Sequence, residues 1–209
     1  MRRFFDRPDT RWPRREGALH LYALPDSGES VIEATEREGS AFGNWEGIAL
    51  QPPQYLHVTL QRLNLYRDQL SEDQWLSFLG ALDAAAQSVS EFKLGFSLPR
   101  VHGEAVEAFG TPRRGWDNLV DAIRTALGRA GFQTALTDPP FGPHYTFAYC
   151  TADTGQENDT HIQKVLDQVC QPQSMVVDSM HLVAVNQYPD EGVFRFDRLH
   201  SWPLKPKVS

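Results

Sequence analysis

The chain has little cysteine: two residues in 209, Cys150 and Cys170, with no CxxC pair. That excludes a disulfide framework and a cysteine zinc site, and it fits a reducing, cytoplasmic setting. No apolar run approaches the roughly 18 residues that would suggest a membrane span. There is no Gly/Ser linker, charge run or low-complexity tract. Positive charge is also scarce, with 20 Lys and Arg against 27 Asp and Glu, a formal net charge of −7. This argues against a protein held on long nucleic acid by neutralising many phosphates. A small phosphorylated ligand or an RNA terminus stays open, because either needs only a local cluster of donors.

The arginines that do exist crowd the start: Arg2, Arg3, Arg7, Arg11, Arg14 and Arg15. Arg2-Arg3-Phe4-Phe5 has the look of a twin-arginine signal, but Asp6, Arg7, Pro8 and Asp9 stand where an apolar stretch would follow. Residues 1–17 are read as a solvated, partly disordered arm. The alternative is an arm that folds over a groove or touches a polyanion. Residues 18–209 are read as the folded body.

Along that body, 18–24 is a buried strand and 29–38 a helix, with Ser27 or Ser30 as its cap. A loop covers 42–46, and 48–50 is an edge strand broken by Pro52-Pro53. Residues 55–65 alternate cleanly. Tyr55, His57, Thr59, Gln61 and Leu63 share one face; Leu56, Val58, Leu60, Arg62 and Asn64 share the other. Ser71 with Gln74 forms a capping box before an apolar stripe of Trp75, Phe78, Leu79, Leu82 and Ala86. A strand over 92–98, a partner over 101–109 and a helix over 116–130 closed by Gly131 follow. A brief strand over 132–136 leads to the loop 138–143, which holds three prolines. Residues 144–150 are a strand, Asp153 or Thr154 starts a helix, and 174–185 and 193–202 form a hairpin.

Two tetrapeptides share one form: His57-Val58-Thr59-Leu60 and His144-Tyr145-Thr146-Phe147, the histidines 87 positions apart (144 − 57). In each strand the His and Thr lie on one face. Two imidazoles facing one point suit acid–base work near neutral pH, one taking a proton from a nucleophile and the other giving one to a leaving oxygen. The Thr hydroxyls are placed to hydrogen-bond phosphate oxygens as charge develops. His20 or Tyr22 on the first strand could line the same groove, Tyr22 as a base-stacking ring or as an ordinary core tyrosine. His102, His161, His181 and His200 have neither a matching Thr nor metal-ligand spacing.

On these residues the sequence resembles the 2H phosphoesterases, and within them the 2′-5′ RNA ligase and cyclic phosphodiesterase (LigT-like) group. Pro143 before the second motif, Leu24-Pro25 and Pro52-Pro53-Gln54-Tyr55-Leu56 add to the likeness. The resemblance implies an α+β fold of two lobes with pseudo-twofold duplication, two antiparallel sheets flanking a groove, and helices outside. It implies metal-independent cleavage of 2′,3′-cyclic phosphates to 2′-phosphates, or of 2′-5′ linked RNA diesters, with no cofactor. His57 and His144 would be the acid–base pair, Thr59 and Thr146 the phosphate-holding hydroxyls, and Tyr22, Gln61 and Tyr149 substrate contacts. Relatives often carry a basic residue just after each motif; here the groove face continues with Gln61 in one strand, and Ala148-Tyr149 follow in the other. The expected partner is a nucleotide or RNA terminus bearing a cyclic phosphate, bound by a monomer with no membrane attachment. The alternatives are a non-catalytic nucleotide-binding module and a metal-dependent hydrolase using Asp138 or Asp178.

Overall fold

The computed structural model describes residues 1–25 and 30–207. Two antiparallel sheets face each other across a groove. The first has the order β10-β9-β1-β3, built from β1 (Ala18–Ala23), β3 (Val58–Tyr66), β9 (Ser179–Tyr188) and β10 (Val193–Pro203). The second has the order β2-β7-β6-β4-β8 with β5 paired to β6. Its strands are β2 (Ile48–Leu50), β4 (Phe92–Phe96), β5 (Arg100–His102), β6 (Ala105–Thr111), β7 (His144–Cys150) and β8 (Gln173–Val177). β1 lies between two partners, so its residues are buried throughout.

Among the described residues, four helices cover the sheets. α2 (Glu72–Ala86) and α3 (Arg114–Arg129) pack on each other and reach β3, β4 and β10; α1 (Ser30–Phe42) and α4 (Gln156–Val169) pack on each other and reach β5 and β8. The capping box forms as expected, with Gln74 N donating to Ser71 Oγ at 3.2 Å and Ser71 N to Gln74 Oε1 at 2.9 Å. Helix α3 ends in a Schellman turn: Gly131, at φ +88°, donates to Gly128 O and Phe132 donates to Leu127 O.

Several expectations are corrected. α1 runs on to Phe42, four residues past the expected end at 38. Its proposed cap Ser27 and start Glu29 lie outside the described residues. Residues 132–136 form a 3-10 turn (Gln133–Ala135) with one bridge, Leu63 to Leu136. α4 starts at Gln156, because Thr154 binds the Met1 amine at 2.7 Å through Oγ1 and Arg3 N donates to Asp153 at 2.9 Å. The run 174–185 is two strands in different sheets, parted at Asp178, whose carbonyl accepts from Leu204 N.

The arm is also corrected. Phe4 and Phe5 are buried against Tyr149 and Phe194, with ring centroids of Phe4 and Tyr149 4.6 Å apart. Arg3 donates to Thr151 O and Pro189 O, Gln187 Nε2 donates to Thr10 O, and Arg14 pairs with Asp68 over the Tyr66 ring. Alternating aromatic and arginine residues thus pin the segment to the body instead of leaving it in solvent.

Candidate active site

The motif strands lie on either side of the groove. Thr59 and Thr146 are half-buried, while Val58, Leu60, Tyr145 and Phe147 point into the core. A cavity of about 120 Å³ joins them, lined by His57, Thr59, His144 and Thr146 among others.

The two histidines are held by the same device. His57 Nδ1 donates to the carbonyl of Tyr55, and His144 Nδ1 to the carbonyl of Gly142, each at 2.9 Å and each two residues back. A carbonyl only accepts, so the hydrogen of each neutral ring sits on Nδ1 and Nε2 is left without one, able to accept. Each ring also carries an aromatic stacked on it. Tyr22 lies on His57 at 4.0 Å and Phe141 on His144 at 4.4 Å, both at 13° between planes. Burial, and secondarily the nearby His144, push the His57 pKa down to about 4 despite the Tyr55 carbonyl. His57 is therefore neutral at pH 7.

A second symmetry decides which residues come after the threonines in the groove. The β1–β3 register pairs Tyr22 with Thr59 but Leu21 with Gln61, so Leu60 is an extra, bulged residue. The β6–β7 register pairs Glu107 with Thr146 but Val106 with Ala148, so Phe147 is bulged at the same point of its motif. One inserted residue reverses the parity beyond it. Gln61 turns inward, fully buried, and binds Arg62 O, Thr137 O and the Arg124 guanidinium. Arg62 turns into the cavity. The expectation that Gln61 lines the groove and Arg62 points away is reversed, and a cation stands beside the motif after all. Five places after the other histidine comes Tyr149, which lines the cavity and hydrogen-bonds Thr146; burial raises its hydroxyl pKa.

Tyr22 lines the cavity too, but one ring face is taken by His57 and its hydroxyl shares a 2.9 Å hydrogen bond with His20 Nδ1. With only 2% exposure it does not serve as an open stacking platform. Burial first, then Arg62 and His57, hold the His20 pKa well below its usual value. Asp138 and Asp178, the acids considered for a metal, do not line this cavity. Among the described residues, no group of three or more His, Cys, Asp or Glu is placed to hold a metal ion.

Several lining residues escaped the sequence reading. Arg7, Asp9, Thr10 and Trp12 come from the arm and form one wall. Asp9 binds Arg7 twice, at 3.0 Å, and Arg62 at 2.9 Å. Buried Glu107 and exposed Phe141 complete the mouth. Signals existed for the last two: one carboxylate in the apolar run Ala105-Val106-Glu107-Ala108-Phe109, and one aromatic among the prolines before the second motif.

No family model matches the chain, and comparison with curated proteins finds no match. Solved structures do match. E. coli LigT complexed with 3′-AMP aligns over 90% of this chain and 98% of its own, with a TM-score of 0.62 and 19% identity. The TT0787 protein of Thermus thermophilus aligns over 91% and 100%, with a TM-score of 0.66 and 19% identity. A structure described as a phosphoesterase aligns over 90% and 99%, with a TM-score of 0.63 and 18% identity. The chain therefore has the two-lobed α+β fold of LigT.

Proposed function

We propose that this protein is a phosphodiesterase that opens 2′,3′-cyclic phosphates of nucleotides or RNA ends to 2′-phosphates, or cleaves 2′-5′ linked diesters, by acid–base catalysis between His57 and His144. One observation carries the reading. Two histidines, each with Nδ1 tied to a carbonyl two residues back, leave their Nε2 atoms to one cavity that both motif threonines line. One Nε2 takes a proton from water as its oxygen attacks phosphorus; the other gives a proton to the oxygen whose bond to phosphorus breaks. Thr59 and Thr146 would hold the non-bridging oxygens, and Arg62 would balance their charge. The same fold in E. coli LigT has been crystallised with 3′-AMP, NADP+, ATP and phosphate, which favours a nucleotide ligand here.

The test is turnover of a 2′,3′-cyclic nucleotide by protein treated with EDTA. Wild type should open it, and His57→Ala or His144→Ala should each lose about 10²–10⁴-fold in kcat, the usual range for one positioned proton-transfer group. Undiminished activity in both variants would overturn the acid–base assignment. Activity lost with EDTA would favour a metal hydrolase, and binding without turnover would favour a recognition module.

A further inference from the structure

The two halves of the site match in carbonyl, stacked ring, threonine and bulge. They differ in the residue five places after each histidine, Arg62 or Tyr149, and in the residue paired across the sheet with each threonine. The cross-strand partner of Thr59 is Tyr22; that of Thr146 is Glu107. Tyr22 lays its ring on its histidine. Glu107 instead turns a carboxylate to its histidine, with Oε1 3.8 Å from His144 Nε2 and Oε2 accepting from His102 Nδ1 at 2.7 Å. Only 5% of Glu107 is exposed. Two facing acceptor atoms repel, whereas a proton on Nε2 turns the contact into an attraction. At 3.8 Å the contact is too long for a hydrogen bond, so an Nε2–H stays free to reach substrate.

We propose that Glu107 breaks the symmetry of the pair: it is the positioning residue that makes His144 the proton donor and leaves His57 as the base. This rests on the phosphodiesterase reading above. In the step, His57 Nε2 removes a proton from water, and the water oxygen forms its bond to phosphorus. The bond from phosphorus to the 3′ oxygen breaks, and that oxygen takes the proton from His144 Nε2. The product, one nucleotide with a 2′-phosphate and a free 3′ hydroxyl, leaves. The proton on His57 then goes to solvent, and His144 is reprotonated from solvent beside Glu107.

The surroundings agree. His57 faces Tyr22, Phe196 and the Tyr55 carbonyl, with His20 behind Tyr22. Asp9, the other carboxylate lining the cavity, is already bound by Arg7 and Arg62. His144 faces Phe141, Phe109 and Glu107, and Glu107 faces His102 and Tyr149. The lowered pKa of His57 keeps its Nε2 free to accept.

The leaving group separates the roles. Uridine 2′,3′-cyclic phosphate releases an alkoxide that needs a proton; its analogue with sulfur in place of the 3′ oxygen releases a thiolate that does not. His144→Ala should slow the oxygen substrate by about 10²–10⁴-fold and the sulfur analogue by less than about tenfold. Glu107→Gln should follow the same pattern at smaller size, about tenfold or more on oxygen and little on sulfur, with part of the oxygen rate recovered in Glu107→Asp. His57→Ala should slow both substrates alike. Rescue of His57→Ala by sulfur, or equal losses on both substrates in Glu107→Gln, would overturn the proposal. The two histidine variants decide the donor even if Glu107→Gln does not fold. A wild type that opens neither substrate would overturn the phosphodiesterase reading itself, a different result.

Discussion

At the scale of single residues, the site is governed by what burial does to imidazole. His20, His57 and His181 all have pKa values below the usual 6.5, the latter two at about 4, with burial the first cause in each. Between about pH 6.5 and 4 the unfolded chain holds more protons on these groups than the folded one, so stability rises with pH through that window. Stability should be at its plateau above about pH 6.5 and fall by a few kcal/mol toward pH 4, read by urea denaturation at a series of pH values. The rate has its own limb. If neutral His57 is the form that works, kcat/KM stays level on the acid side until pH nears 4. In Tyr22→Ala the opened ring should titrate nearer 6.5, moving that limb upward. Arg62 gives a sharper contrast. Arg62→Ala should raise KM for a cyclic nucleotide about tenfold to hundredfold, from the roughly 1.5–3 kcal/mol of a charge-assisted bond. An effect that size from Arg62→Lys as well would show that the planar fork matters and not charge alone.

The element that matters most is the bulged motif strand. Each motif strand carries one extra apolar residue, Leu60 or Phe147, directly after its threonine. That insertion re-aims the later side chains of the strand, turning Arg62 into the cavity in one and Tyr149 in the other. The loop before β7 is the other functional element. Its prolines at 139, 140 and 143 stiffen the chain, and it presents Phe141, 55% exposed, against His144. Phe141→Ala should loosen that ring and weaken a nucleotide ligand by about 1–3 kcal/mol if its open face stacks on a base. Calorimetric titration with a nucleoside monophosphate and with inorganic phosphate separates base from phosphate, since only the nucleotide should be affected. Away from the site, Gly131→Ala should cost about 1 kcal/mol, because the Schellman turn needs its positive φ.

For the whole molecule, the arm is part of the site. Phe4 and Phe5 fill a cluster with Tyr22, Tyr149 and Phe194, and Arg7, Asp9, Thr10 and Trp12 line the cavity. The double variant Phe4→Ala, Phe5→Ala should lose several kcal/mol in a urea melt, as buried aromatics do. It should also lower kcat/KM with both histidines intact. A solvated arm would show neither effect.

Much was legible from order and period alone. β7 starts and ends where alternation places it, α2 carries its capping box, and Gly131 stops α3. The paired His-x-Thr motif pointed to a shared groove, and both histidines and both threonines line one cavity. Other features were not legible because they depend on partners far away in the chain. Strict alternation cannot register a bulge, since only the neighbouring strand shows which residue is left over; hence Gln61 and Arg62 exchanged faces. His102 looked idle until β5 paired with β6 and set it on Glu107. An arginine-rich segment reads as solvated until the body offers aromatic rings and carbonyls to receive it. The sequence by itself thus determined the two histidines, their threonines and the strands beside them, because side-chain period is a local property of the backbone. Only the tertiary structure decided which cation, carboxylate and rings surround them, because those contacts are set by strand register and by burial that no local pattern encodes.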